Sequence, residues 1–331
     1  MVDIKLARPI ITAQVIADSV SAISGDRITT MRWVYPRIVH GEIMTHRLFS
    51  RNASSSRAIP VKRVLKMVEE SPASVLHWGA NEKGMQASGE VDDVEGMKAL
   101  WLLGAKHASR VAKQMMEKGA HKQVANRILE PYQYMTTVVT STDFENFMNL
   151  RHHKDADPTF AELARVVRVA IDASNPKKLR EGEWHMPFVD SRFAPVIRDT
   201  RAQFFYDEEG TLITLQEALK ISSSCVAQTS FRRENKSLDK AENIYATLIE
   251  SEPVHASPVE PQATPMGRKE WNARLKARKD LMEEGIPEPE TLGTLMCANF
   301  KGWRQHRKMI PNESFFGNFN EKLKTSEDHQ L

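Results

Sequence analysis

Residues 10–39 alternate apolar and polar side chains on both sides of Ser24-Gly25-Asp26, and this pattern constrains the fold more than any other in the chain. A period of two puts successive side chains on opposite faces of a strand, and Ser-Gly-Asp supplies a turn. The segment therefore predicts a hairpin with strands near 11–22 and 27–35. The β-branched run YMTTVVTST at 134–142 predicts a buried strand.

Elsewhere the signals are mostly helical. Pro36 ends the second strand, and a short helix is expected near 37–49. Residues 50–59 read as a Ser-rich loop, and Pro60 opens a helix to about residue 70. The clearest helix spans 93–118 and is closed by Gly119. Its Met97, Leu100, Ala105 and Ala108 share a face that reads as core or oligomer packing. Further helices are expected near 121–129, 142–152, 159–173, 215–229, 237–250 and 268–284, with Ser237 placed to cap one of them. Residues 174–213 read as irregular, and 252–266, with four prolines, as extended or looped. The expectation is an α+β fold, helix-rich with a small, mainly antiparallel sheet. The chain is expected to divide into residues 1–175 and 176–331, two halves intertwined in one domain.

Composition narrows the function classes. With 46 Lys+Arg against 43 Asp+Glu the net charge is only +3, so no nucleic acid partner is expected. No apolar run approaches the ~20 residues of a membrane span. The N-terminus lacks a basic start and a small-residue cleavage site, so no leader is expected. Cys225 and Cys297 form neither a disulfide framework nor a zinc site by themselves, and a reducing cytoplasm is the expected compartment.

From Ile43 to Val68 there is no acidic residue, but there are six basic ones: Arg47, Arg51, Arg57, Lys62, Arg63 and Lys66. Ser50, Asn52, Ser54, Ser55 and Ser56 lie among them. Guanidinium forks and short hydroxyls without competing carboxylates suit an anion such as phosphate; a solvated basic loop is the alternative. In KGWRQHRK, Trp303, Arg304, His306 and Arg307 either hold a base or phosphate or form a basic surface helix. GEWHMPF at 182–188 reads as a packed loop in preference to a pocket wall. Adjacent His152 and His153 diverge by about 100° on a helix, so no metal site is expected there.

The segment THRLFSRNASSSRA at 45–58 resembles the signature of flavin-dependent thymidylate synthases: Arg-His-Arg, seven residues, Ser, then Arg two positions on. Here Thr45-His46-Arg47 is followed by seven residues, Ser55 and Arg57, with Asn52 at the family's Asn. Arg127-Ile-Leu-Glu-Pro131 resembles the family's Arg-x-x-x-Pro before a buried strand, and Asn146-Phe-Met-Asn-Leu-Arg151 its Asn-Phe-Leu-x-Leu-Arg. SCVAQTSF at 224–231 and His255-Ala-Ser257-Pro-Val-Glu260 resemble two segments that precede the signature in the family but follow it here. The resemblance thus implies a rearranged, circularly permuted member, in which residues 222–265 lie against 30–60.

By that resemblance, His46, Arg47, Asn52, Asn146, Ser230, His255, Ser257 and Glu260 would bind FAD. Ser55, Arg57 and Arg127 would hold the phosphate and ribose of the nucleotide, and Arg151 would contact the pyrimidine ring and serve catalysis. The chain departs from the family pattern at Thr45, Ala53, Ala58, Glu42, Pro261 and Asp155. The implied activity is C5 methylation of dUMP with FAD as cofactor and NADPH and methylenetetrahydrofolate as co-substrates, in a homotetramer. The alternatives are C5 hydroxymethylation, a dCMP-specific relative, or a non-catalytic nucleotide-binding member.

Overall fold

The computed structural model describes residues 6–84, 87–197, 200–231 and 235–314, except for the side chains of 230 and 231. The expected hairpin is present as β1 (Thr12–Ser21) and β2 (Arg27–Pro36). Its register shifts between Val15 and Ala17, a bulge that strengthens the local twist. Gly25 turns the chain at φ 80°, a conformation open to glycine at little cost.

After β2 the helix expected at 37–49 is cut to a 3-10 turn and α1 (His40–Ile43). The expected loop at 50–59 begins instead as a strand, β3 (Ser50–Ala53). Then follow α2 (Val61–Glu70), α3 (Val94–Glu117) and α4 (Lys122–Ala125), which continues into a 3-10 segment over Asn126–Tyr132. α3 ends in paired bonds from Gly119 N to Met116 O and Ala120 N to Met115 O, with Gly119 at φ 87°. The buried strand β4 (Tyr134–Ser141) leads to α5 (Glu145–Arg151) and α6 (Pro158–Asp172).

Residues 174–213 are not irregular as expected. They hold β5 (Lys177–Leu179), β6 (Asp190–Pro195), β7 (Arg201–Tyr206) and β8 (Leu212–Ile213). Pro195 is tolerated because it closes an edge strand of a three-stranded sheet in the order β6-β7-β8. A Thr214/Glu217 capping box opens α7 (Leu215–Ala227), and α8 (Leu238–Leu248) follows. Ser237 stands at the N-cap of α8, but its hydroxyl bonds Asn235 and not the helix. A 3-10 turn at Ser257–Val259, β9 (Ala263–Pro265), α9 (Arg268–Glu283), α10 (Glu288–Thr291), the short strands β10 (Met296–Cys297), β11 (Phe300–Lys301) and β12 (Trp303–Gln305) and a 3-10 segment at His306–Met309 follow among the described residues.

The fold is α+β. Its main sheet runs β3-β4-β2-β1-β5, antiparallel except for the β1–β5 pair. Met31, Trp33 and Tyr35 of β2 pack with Phe147 of α5 and Phe160, Leu163 and Val167 of α6. Trp33 stacks on Phe147 at 5.4 Å, and burying each such side chain stabilises the fold by roughly 1.5–3 kcal/mol. Ala105 and Ala108 of α3 face α2, as core packing, whereas Leu100 is 58% exposed. β5 joins the first sheet, and Ile28, Leu179, Ala263, Phe300 and Trp303 form one core drawn from both halves of the chain. Trp303 is therefore a core residue in a strand and stacks on no ligand, contrary to one expectation. Among the described residues no helix is long and apolar enough to cross a membrane.

Candidate functional site

β3 is the centre of the candidate site. Polar and short, it is a strand because β4 offers it a ladder: Ser50 pairs with Thr140, and Asn52 with Val138. From this strand Arg51 Nη1 donates to the carbonyls of Ile43, Met44 and His46, at 3.1, 2.9 and 3.1 Å. It thereby satisfies the C-terminal carbonyls that follow α1. The buried Asn52 donates from Nδ2 to Ser257 O at 3.0 Å. That bond places the signature against the His255–Glu260 segment, as the segment-order argument expected.

Two cavities meet here. One, of about 470 Å³, is lined by Arg47, Phe49 and Arg51, by Ser257 and Glu260, and by Asn299, Gln305, Arg307 and Lys308. The other, of about 340 Å³, is lined by Asn52, Ala53, Val226, Ala227, Leu248, His255 and Pro258, and again by Arg51 and Ser257. Sharing Arg51 and Ser257, they form one groove with a basic end and a more apolar end. Burial lowers the Arg51 pKa, and Glu260 opposes that shift; a guanidinium stays charged regardless. Such a groove suits a ligand with an anionic part and a flat apolar part.

His46, Arg151 and Glu42 form a second cluster. Arg151 Nη1 meets Glu42 Oε2 at 3.0 Å, and Arg151 Nε donates to His46 Nε2 at 3.2 Å. The guanidinium lies over the Phe160 ring at 4.8 Å. His46 is 7% exposed, among Phe49, Phe147 and Phe160. Burial, then Arg151 and Arg51, bring its pKa down to about 4, so the ring is neutral and accepts at Nε2. Burial raises the Glu42 pKa, with Asp157 adding to the shift and Arg151 opposing it. Glu42 and Arg151 line a separate cavity of about 420 Å³ with His77, Lys154, Asp155 and Asp157.

The residues expected to hold a nucleotide phosphate lie in a third place. Arg127 Nη1 and Arg37 Nη2 approach Glu130 Oε1 at 3.1 and 3.0 Å, and Ser56 Oγ donates to the same oxygen at 3.0 Å. Asn126 Nδ2 donates to the carbonyls of Ser56 and Ile59 and holds the 55–59 loop beside them. Ser55 Oγ accepts from Arg57 N at 3.2 Å, and the Arg57 side chain is exposed. In this structure the anion at the centre of the cluster is Glu130.

Of the other expected site residues, Arg47 and Glu260 share the basic end of the groove, and His255 and Ser257 line its apolar end. Asn146 is exposed on α5. The Ser230 side chain lies outside the described residues. GEWHMPF is packed at its centre, where His185 is buried, with Nδ1 2.9 Å from Ser19 Oγ and Nε2 2.8 Å from Thr30 Oγ1, and burial takes its pKa to about 3, while Gly182 and Trp184 line a further cavity of about 610 Å³. Among the described residues no group of three His, Cys, Asp or Glu gathers as a metal set.

Sequence reasoning missed Asn299, Gln305 and Lys308, and left Arg307 open between ligand and surface. Gln305 Nε2 donates to Ser50 Oγ at 3.2 Å and to Asn299 Oδ1 at 3.0 Å, which ties this segment to β3. Basic charge was the available signal, but nothing in the sequence places it beside Arg47.

No protein-family model matches the chain, and no curated protein matches it. Among solved structures it is similar to the UMP/dUMP methylase PolB from Streptomyces cacaoi in two complexes. The complex with 5-Br dUMP has a TM-score of 0.41 at 16% identity, over 51% of this chain and 92% of that one. The complex with 5-Br UMP has a TM-score of 0.39 at 16% identity, over 50% of this chain and 96% of that one.

Proposed function

We propose that the chain is an FAD-dependent enzyme that methylates C5 of a pyrimidine deoxynucleoside monophosphate, dUMP to dTMP, with methylenetetrahydrofolate and NADPH as co-substrates. The observation that carries this reading is the Asn52–Ser257 bond within one groove. It joins the two segments that resemble flavin-binding motifs, although they lie far apart in the sequence.

The groove fits the cofactor's chemistry. Arg47 and Arg51 at its basic end suit the diphosphate, and Val226, Ala227, Leu248 and Pro258 offer apolar surface to a ring. When bound, FAD supplies the hydride and carries the one-carbon unit. The chain's own residues bind, orient and polarise. Arg151 stabilises negative charge on a pyrimidine carbonyl as C5 becomes nucleophilic. Neutral His46 accepts from Arg151 Nε and fixes the plane of the guanidinium. With the site built across subunits, Ser55, Arg57 and Arg127 hold the phosphate, which competes with Glu130 for Arg127. An Arg at the ring favours the carbonyl acceptors of uracil over the exocyclic amine of cytosine. Cys225 takes no part: burial pushes its thiol up to about 12, so it is no nucleophile. The assembly is a homotetramer in this reading.

Incubation with dUMP or dCMP, methylenetetrahydrofolate and NADPH, followed by mass analysis, tests the proposal. The expected product is dTMP from dUMP alone. A hydroxymethyl product, or turnover of dCMP only, would overturn the assigned reaction.

A further inference from the structure

The C-terminal segment forms the wall of the groove that faces the signature. Arg307 and Lys308 line the basic end together with Arg47 and Arg51, which precede them by some 260 residues in the sequence. Gln305 fixes this wall to β3 through Ser50 Oγ. Antiparallel pairing of β12 with β9 sets the position of the segment, with Trp303 opposite Pro265 and Gln305 opposite Ala263. The wall is thus part of the packed structure and not a loose tail.

Arg307 and Lys308 are gathered around carboxylates. Arg307 Nη1 meets Glu260 Oε1 and its Nε meets Glu313 Oε2, both at 2.6 Å. Lys308 Nζ pairs with the other oxygen of Glu313. Burial alone would raise the Glu313 pKa, but hydrogen bonds from Lys308, Arg307 and Ser314 override it and hold the carboxylate at about 2. Two cations converging on one anion beside two more arginines is the arrangement a diphosphate calls for.

We propose that Arg307 and Lys308 bind the phosphates of the dinucleotide, and that Glu313 is a stand-in anion that the ligand displaces from them. This rests on the flavin reading above. Arg307 keeps its contact with Glu260 through Nη1 and turns its remaining donors to phosphate, since a guanidinium carries five.

The test is fluorescence titration of FAD, riboflavin and ADP into the full chain and into Arg307→Gln, Lys308→Ala and Glu313→Gln. Loss of one charge-assisted contact should weaken FAD and ADP by about tenfold to a hundredfold in Arg307→Gln and Lys308→Ala, and leave riboflavin unchanged. Glu313→Gln should act in the opposite direction and tighten FAD and ADP several-fold. A wall that served structure alone would not tighten phosphate binding in that variant. If the wild type binds FAD and the Arg307 and Lys308 variants bind it equally well, the proposal fails and the flavin reading stands. If the wild type binds ADP but neither flavin, and both variants lose ADP, the phosphate role stands and the flavin reading fails. Weaker FAD binding in Glu313→Gln would overturn the stand-in role.

Discussion

Replacing Glu42 by Gln isolates what Arg151 does. In the structure Arg151 gives Nη1 to Glu42 at 3.0 Å and Nε to His46 at 3.2 Å, so part of its fork, the Glu42 ion pair included, is engaged before any nucleotide arrives. The Glu42 side chain is 41% exposed, and an ion pair in such water is worth about 0–1 kcal/mol. Folding stability should therefore change by less than about 1 kcal/mol in Glu42→Gln, a shift of a few degrees at most in Tm. Binding should respond more. Without the carboxylate, Arg151 no longer has to leave an ion pair to reach a pyrimidine carbonyl, and about 1 kcal/mol released there is roughly a fivefold gain in affinity. Calorimetric titration with dUMP and with deoxyuridine separates the causes. If Arg151 meets the ring, both ligands tighten by the same factor. Tightening of dUMP alone would mean that Glu42 had acted by repelling phosphate, and the ring assignment of Arg151 would be refuted. Unchanged affinity for both would refute it equally.

Buried neutral histidines set the acid limit of the fold. Burial brings His185 to about 3 and His306 to about 4, and burial with Arg151 and Arg51 brings His46 to about 4. Each binds a proton near pH 6.5 once unfolded, so their contribution is complete above that pH and is lost as pH falls toward 4, by about 1.4 kcal/mol per group per pH unit. Urea melts at pH 7 and pH 5 should show the loss, and equal midpoints would contradict it. Asn52→Ala removes the Asn52–Ser257 bond and should cost about 1 kcal/mol of stability, read by urea melting, together with a measurable loss of FAD affinity. Loss of stability with FAD affinity intact would separate that bond from the site. Gly302→Ala should destabilise by about 2 kcal/mol or more, because φ is 74° and the new methyl would meet Ser24 Oγ and Asp26 Oδ2. A wild-type Tm for that variant would refute the strain argument.

What could be read from the sequence divides by the physics of each segment. β1, β2, β4 and α3 were legible because each carries its own period, turn or cap, down to Gly119. β3 was not: Ser-Arg-Asn-Ala has no β-branched residue and is a strand only because β4 pairs with it. β6 and β7 were obscured by Pro187 and Pro195, although Phe193, Phe204, Phe205 and Tyr206 carried a β signal. The basic run at 301–308 left a base- or phosphate-holding segment and a surface helix open. The buried-exposed-buried sequence at Trp303, Arg304 and Gln305 shows a strand whose outer face alone is charged. In the site, the signature fixed Arg47 and Asn52 as candidates, but the pairing of Arg151 with Glu42 is tertiary and no local pattern shows it, whereas Arg127 and Glu130 are an i,i+3 pair within one 3-10 segment.

The central claim is that FAD lies in the groove between β3 and the 257–260 turn. Ser257 lines both of its cavities and is exposed, so Ser257→Trp fills the groove without disturbing the core. Titration of FAD into the wild type and into this variant, with circular dichroism to confirm that both are folded, tests the claim most directly. The account predicts saturable binding of one FAD per chain to the wild type and none to folded Ser257→Trp. Equal binding to both, or no binding to the wild type, would contradict it.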